Sequence, residues 1–406
     1  MKIVFLAPFG IRPKGTVIAR MLPLAVELQR LGHSVVIIAP PYTNPEDSGK
    51  DEMVDGVLLK NVRLGPRHKA LAAPFLAWRM FRAAVAEKPD LVHLFKPKGY
   101  GGLAAMALLW LRNLGCRVAP LFLDTDDWEG RGGMNELQPY SSMEKRFYRF
   151  QEQWLLRRAA GVTVASRGLE RMVDDMGVAA GRRFYLPNCV REAPPGNGAM
   201  VRSRFGIGAD TPVVLLYTRF FEFDQLKLHN LFEAIHRAIP SARFLVVGKG
   251  RNNEEDLLLK AAGERGFADA LVMSGWIEPD QLRHYLAAGD VAIYPFADTL
   301  VNRCKCPAKL TELLLAGCPV VGDRVGQLAE YIRSGISGIL CDPDNGEEMA
   351  TQVLTLLNNR ELRREIGAAG RQYLLREFAW PLYARELDRF YLTICTRFPR
   401  LRGNDA

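Results

Sequence analysis

Two runs of alternating strand and helix, separated by a proline-rich stretch, constrain this chain more than any other feature. The first run opens on a continuous apolar strand at residues 2–7, a loop at 8–15 and a helix from about Thr16 to Leu31. Ile18, Met21, Leu22, Ala25, Leu28 and Leu31 recur through that helix at helical spacing. Gly32-His33 ends it, and residues 34–39 form the second strand. Further strands are expected at 91–94, 118–123, 161–165 and 184–186, with helices at 71–86, 103–113, 143–158 and 167–176. Such alternation produces a parallel, doubly wound sheet.

Residues 187–199 hold Pro187-Asn188 and Pro194-Pro195-Gly196-Asn197-Gly198 with little apolar content, which marks a linker. The alternation then restarts with strands at 213–217, 243–247, 271–273, 291–294 and 319–321. Helices are expected at 226–238, 254–265 and 279–287, and around Glu312. At 406 residues the chain is too long for one ordinary core. Two α/β domains are therefore expected, 1–190 and 191–379, with a site between them. The tail from Trp380 is an amphipathic helix whose apolar side carries Leu382, Leu387, Phe390 and Tyr391.

Composition narrows the function. No segment is long enough to span a membrane. The N-terminus has one charge and a short apolar run, which reads as a first strand and not as a signal peptide, so a cytoplasmic protein is expected. Seven cysteines show no paired framework; Cys304-Lys305-Cys306 is the only close pair, read as reduced thiols in preference to a metal site. A net charge of +9 calls for an anionic partner. No nucleic-acid module is recognisable, so phosphate groups or acidic lipid are the expected partners and nucleic acid is not.

The stretch Pro307-Ala308-Lys309-Leu310-Thr311-Glu312 places a lysine and a glutamate one turn apart at the start of a short helix. A helix N-terminus attracts phosphate through its unpaired N–H groups and dipole. Lys309 adds a charge there, and Glu312 offers acceptors to sugar hydroxyls. The alternative is an ordinary helix with a solvated Lys/Glu pair. In the first domain, the loop at 8–15 lacks the Gly-x-Gly-x-x-Gly fingerprint, and no acidic residue ends the second strand, which excludes dinucleotide chemistry. Gly15 is either a plain turn glycine or a place where a backbone N–H approaches phosphate. Tyr217-Thr218-Arg219-Phe220 stands at the carboxyl end of its strand, where α/β sheets bind ligands. Asp124, Asp126 and Asp127 follow another strand; three carboxylates so close suggest a general base, a metal, or caps for the next segment.

The paired α/β halves, the linker, the Glu312 helix and the tail together resemble the retaining family 4 glycosyltransferases. The resemblance implies the GT-B architecture, two Rossmann-like domains facing across a cleft, with the tail helix (380–406) returning to the first. It implies transfer of a sugar from a nucleoside diphosphate sugar, UDP-linked by preference and GDP-linked as alternative, to a hydroxyl of a sugar, polysaccharide or lipid-linked acceptor, with retention and without metal or other cofactor. It assigns Arg219 and Lys227 to the donor diphosphate, although the spacing is long and Leu228 stands where a glycine is usual. It assigns the backbone of Trp276 and Ile277 to the base, and Glu312 to the second glutamate of a Glu-x7-Glu pattern whose first position is Cys304. Asn302 and the backbone of the 302–307 loop are the expected substitutes for that first carboxylate. Asp126 and Asp127 occupy the place where many members carry a catalytic histidine. A nucleotide-sugar epimerase and a non-catalytic sugar-nucleotide scaffold remain the rival functions.

Basic residues also gather in the first domain: Arg67, Lys69, Arg79, Arg82, Lys96, Lys98, Lys145, Arg146, Arg149, Arg157 and Arg158. On the helix at 143–158, Phe147, Phe150 and Trp154 fall on one side, with Arg146, Arg149 and Arg157 on another. The helix is either a peripheral contact with an anionic membrane face or a core-docked helix with a solvated basic side.

Overall fold

The computed structural model describes residues 1–12, 15–66 and 69–398. Pro13 and Lys14 of the first loop, Arg67 of the basic group and the last eight residues of the tail lie outside that range, as does the side chain of Lys69. The chain forms two compact units.

The first unit holds residues 1–189, the short segment Cys304–Cys306 and the C-terminal segment from Trp380. Its strands are β1 (Lys2–Leu6), β2 (Ser34–Ala39), β3 (Asp51–Val54), β4 (Val57–Asn61), β5 (Leu91–Phe95), β6 (Leu121–Thr125), β7 (Gly161–Val164) and β8 (Arg183–Tyr185). They lie in the order β3-β4-β2-β1-β5-β6-β7-β8, all parallel except the β3–β4 hairpin. The strand order reverses between β1 and β5, so the carboxyl ends of these strands flank a topological switch point, where ligands bind in such sheets. The hairpin is absent from the sequence expectation. It turns on Asp55-Gly56, both at positive φ (48° and 78°), a turn that favours Asp-Gly.

The first helix departs from its expected form. Val17–Met21 is a π-helical turn that runs into an α-helix at Leu22–Arg30. Pro23 has no N–H to give to the carbonyl four residues back, and Leu22 N–H instead reaches Val17 O. The wider turn shifts the phase of the buried stripe. Val17, Met21, Leu24, Ala25 and Leu28 are buried, whereas Ile18, expected inside, is 48% exposed, and Leu31 is also exposed. The helix Trp380–Cys395 adds Trp380, Leu387 and Tyr391 to the same core as Phe5, Ile37, Phe95 and Phe122.

The second unit holds residues 190–303 and 307–379. Its strands are β9 (Val213–Tyr217), β10 (Arg243–Val247), β11 (Leu271–Gly275), β12 (Val291–Tyr294), β13 (Val320–Asp323) and β14 (Ile339–Cys341). Every pair is parallel in the order β11-β10-β9-β12-β13-β14, with the reversal between β9 and β12. In its core Phe232 stacks on Phe244, and Phe267 meets both rings edge-on. The expected linker is shorter than its composition suggests, because Asn197 caps a helix at Gly198–Arg204. After the helix Ala308–Leu315, Gly317 takes φ of 74° and Pro319 precedes β13, the stop that Gly-Cys-Pro predicts. No helix among the described residues is long and apolar enough to cross a membrane.

Candidate active site

In the second unit, five polar side chains meet at the carboxyl end of β9. Tyr217 ends the strand, and Arg219 and Glu222 follow in a tight turn. Phe220 there adopts φ of 65°, a left-handed conformation that is costly for a bulky side chain, and its N–H is held by Thr218 Oγ1 at 2.7 Å. From the neighbouring helix Ala308–Leu315 come Lys309 and Glu312. Lys309 Nζ lies 3.5 Å from Glu222 Oε1 and 5.7 Å from the centre of the Tyr217 ring. Tyr217 is hydrogen-bonded to Glu312. Burial pushes the Glu312 carboxyl above its ordinary range, against the Tyr217 hydrogen bond and the charges of Lys309 and Arg219. No side chain caps the N-terminus of this helix.

Not every predicted donor residue joins the cluster. Lys227 is neither a solvated surface lysine nor part of it: its Nζ donates to Asp323 Oδ1 and Oδ2 (2.8 and 2.9 Å) and to Pro343 O (2.8 Å). Asp323 is fully buried and also accepts Phe296 N–H at 2.8 Å, so Lys227 is the counter-charge of an internal carboxylate. Asn302 is buried, and its amide donates to Glu222 O (2.7 Å) and Ala297 O (2.8 Å). It pins the backbone of Glu222 and does not itself replace a carboxylate. Glu222, only 5% exposed, is the residue the sequence reading missed; lying among three phenylalanines, it gives no sequence signal. Trp276 is exposed and Ile277 half-buried just after β11, the edge strand. Cys304 is buried in the first unit, where Ser166 Oγ donates to its carbonyl at 2.6 Å. Asn188 likewise holds Cys306, through its amide to Cys306 O (2.7 Å).

In the first unit, the three aspartates at and just after the end of β6 separate into two groups. Asp124, at the strand end, is fully buried and takes a two-pronged bond from Arg20 (Nε at 2.7 Å, Nη2 at 2.6 Å) together with the Thr163 hydroxyl. Arg20 also donates to Leu186 O at 2.7 Å. The sequence offers a signal for it: Arg20 falls in the apolar stripe Val17, Met21, Leu24. Asp126 and Asp127 instead share Lys96, whose Nζ stands 2.9 and 2.7 Å from their carboxylates. Lys96 sits at the end of β5 with φ of 61°, a second left-handed residue at a strand end. Lys98 pairs with Glu129 at 2.6 Å.

Burial acts to raise both aspartates. At Asp126 it prevails, helped by repulsion from Asp127 and Asp124, and the carboxyl is held above its ordinary range against Lys96. At Asp127 the charge and hydrogen bond of Lys96, with Lys305 and Lys98, outweigh burial and hold the group low. Neither aspartate caps the next short helix, Met134–Leu137, which follows Gly133 without a side-chain cap. Among the described residues no group of three potential ligands is arranged to hold a metal ion. Beside these charges stand Tyr42, Tyr100, Tyr140 and Tyr148, with ring centres 5.4 Å apart in the first pair and 5.1 Å in the second; Lys98 lies 5.6 Å from the Tyr140 ring. Gly15 opens the π-helical turn, and a Cβ there would meet no atom within 4 Å, so neither sterics nor positive φ requires the glycine.

Comparisons with known proteins bear on both units. Residues 15–189 match the glycosyl transferase 4-like domain, and residues 211–359 match glycosyl transferases group 1. The 2-deoxystreptamine glucosyltransferase of Streptomyces kanamyceticus is 27% identical over 56% of this chain and 59% of its own length. A GDP-mannose-dependent α-(1-6)-phosphatidylinositol monomannoside mannosyltransferase of Mycobacterium tuberculosis is 28% identical over 60% of the chain and 61% of its own. The matched stretch thus spans about six-tenths of these relatives. Among solved structures, sucrose-phosphate synthase from Thermosynechococcus elongatus superposes with a TM-score of 0.75 at 19% identity, covering 98% of this chain and 100% of that one. Anabaena Alr3699/HepE in complex with UDP-glucose gives 0.71 at 17% identity, over 97% and 100%. The fold is GT-B.

Proposed function

The chain belongs to the group 1, family 4 glycosyltransferases, and from that premise we propose that it transfers a sugar from a nucleoside diphosphate sugar to a hydroxyl acceptor. The observation that carries this reading is the cluster of Tyr217, Arg219, Glu222, Lys309 and Glu312 at the switch point of the second sheet, beside an uncapped helix N-terminus. Arg219, Lys309 and the helix N-terminus hold the diphosphate and stabilise it as its charge grows on departure. Three positive elements perform that task without a divalent metal. Glu312 accepts from the ribose hydroxyls. UDP is the favoured nucleotide, and UDP-glucose bound to a structure of the same fold supports that preference. The tyrosines beside Lys98 offer flat, amphipathic faces to a sugar or lipid-linked acceptor, and Asp126 takes the acceptor proton.

A non-catalytic scaffold is the rival that Cys304 favours, since it removes the first carboxylate of Glu-x7-Glu. Glu222 answers it: we assign this buried carboxylate to the donor sugar, with Lys309 Nζ 3.5 Å away as its counter-charge. Glu222→Gln is then expected to weaken UDP-glucose binding about tenfold relative to UDP, the scale of one hydrogen bond to a charged group. Calorimetry with both ligands checks it; equal losses for the two would remove Glu222 from the sugar. Retention requires the product to keep the anomeric configuration of the donor. Product analysis after incubation with UDP- and GDP-sugars tests the function as a whole. A new glycoside supports transfer, an altered donor sugar indicates an epimerase, and unchanged donor indicates a scaffold.

A further inference from the structure

We infer that Glu152 keeps its proton at neutral pH and, as a neutral carboxyl, is a positioning residue for the charged cluster around Asp126. The inference rests on the sugar-transfer reading only for what that cluster does. Glu152 lies on the helix Ser142–Arg158, whose inner side buries Gln151, Glu152, Leu155 and Leu156. Gln151 clamps this helix in place, accepting Gly99 N–H at 2.9 Å and donating to Gly99 O at 3.3 Å. Glu152 is thereby held in the core with no exposed surface.

Its polar contact is to another glutamate. Oε1 accepts Glu129 N–H at 3.1 Å, and Oε2 meets no hydrogen-bond partner among the described residues. Glu129 is itself buried, and both its carbonyl and its carboxylate are engaged. Its carboxylate takes Lys98 at 2.6 Å and stands 4.0 Å from Lys96, while its carbonyl accepts from the Asn135 amide at 2.6 Å. Lys98 also donates to Asn135, and Lys96 is spent on Asp126 and Asp127. Four acidic side chains thus share Lys96 and Lys98, with Lys305 adding its charge at Asp127. The one left without a cation is Glu152. On its own helix Arg149 leaves Nε unpartnered, and the facing helix Gly99–Asn113 carries no charge before Arg112. An unpaired carboxylate in the core, beside an ionised neighbour, is far costlier than a neutral carboxyl. Burial, and then repulsion from Glu129, hold the Glu152 carboxyl well above its ordinary range, against the Glu129 N–H bond and the charges of Lys98 and Lys96. The proton leaves both lysines to the other three acids. An ionised Glu152 would compete for them and disturb the balance that sets Asp126 apart from Asp127.

Two variants test this. Glu152→Gln keeps an acceptor for Glu129 N–H and cannot ionise. The native wild type retains a proton that an unfolded glutamate gives up above about 4.3. Its stability therefore falls as pH rises from that value toward the raised one, and the variant escapes this loss. Thermal unfolding is followed in the first-unit transition from pH 5 to pH 8. Across that range the Tm of Glu152→Gln relative to wild type is expected to rise by at least about 3 °C, the shift that tenfold tighter proton binding by the native state gives in a unit of this size. A flat or falling difference would show an ionised Glu152 and overturn the inference. Glu152→Leu fills similar space without an acceptor. Its kcat is expected to drop at least about tenfold through misplacement of the cluster, while UDP affinity holds and Glu152→Gln restores kcat. Equal kcat in wild type and Glu152→Leu would overturn the positioning role. A wild type that transfers no sugar would remove that role together with the sugar-transfer reading, while the stability slope would still decide the proton.

Discussion

Replacing Arg20 with methionine is expected to lower the stability of the first unit by about 3–5 kcal/mol, the scale for removing one partner of a buried ion pair. Asp124 is fully buried, and Arg20 covers both its oxygens at 2.7 and 2.6 Å. Without the guanidinium the carboxylate keeps only the Thr163 hydroxyl bond among the polar contacts described above, and Leu186 O loses a donor. Methionine retains length and apolar volume, so the loss reports on charge and hydrogen bonding more than on a cavity. Because the chain has two units, its unfolding need not be a single transition, and the change is read in the transition that first-unit probes follow. Adding Asp124→Asn to Arg20→Met is expected to recover part of the loss, since it removes the orphaned charge. A loss below about 1 kcal/mol in the single variant would show that the pair is not needed to hold this end of the sheet.

The second large effect falls on turnover. Asp126→Asn is expected to lower kcat by at least about tenfold, within the usual range for loss of a general base, while nucleotide affinity holds. The structure distinguishes the two neighbours. Asp127 is held low by Lys96 and is a weak base, whereas Asp126 is held high by burial and is the better proton acceptor. Asp127→Asn should therefore cost less. A base works deprotonated, so wild-type activity is expected to fall as pH drops through the raised Asp126 range, above the ordinary value of about 3.9. That limb should vanish in Asp126→Asn. The linkage has the opposite sign for stability: a carboxyl raised by folding disfavours the native state above its ordinary pKa, and protonation or the Asn replacement relieves it. Full activity in Asp126→Asn would make the aspartate a structural partner of Lys96, and a collapse of thermal stability would make it part of the scaffold.

The alternation of strand and helix was legible because each strand buried on both faces is a continuous apolar run, as in residues 3–6, 35–39 and 291–294. Two elements escaped for different reasons. The β3–β4 hairpin carries a readable Asp-Gly turn that the alternating pattern overshadowed. The π-helical turn before Pro23 shifts the phase of a helix by one residue, which a fixed helical period does not register. The cluster proposed as the donor site was legible where chemistry and position coincide in a short stretch, as at Arg219 and in Lys309-x-x-Glu312, which the fold brings together. It was not legible where side chains distant in sequence converge. Glu222 meets Lys309 across 87 residues, and Tyr42, Tyr100, Tyr140 and Tyr148 come from three separate segments. Lys227 shows the converse: a suitable residue at a plausible place, taken by the buried Asp323.

The proposed function stands on the second unit binding a nucleoside diphosphate through Arg219 and Lys309. Calorimetric titration of UDP and GDP into the wild type, Arg219→Ala and Lys309→Ala tests it most directly. Saturable binding of at least one nucleotide to the wild type is expected, with a loss of about 1.5–3 kcal/mol in each variant, the scale of a hydrogen bond to a charged group. Affinity unchanged in both variants would contradict it.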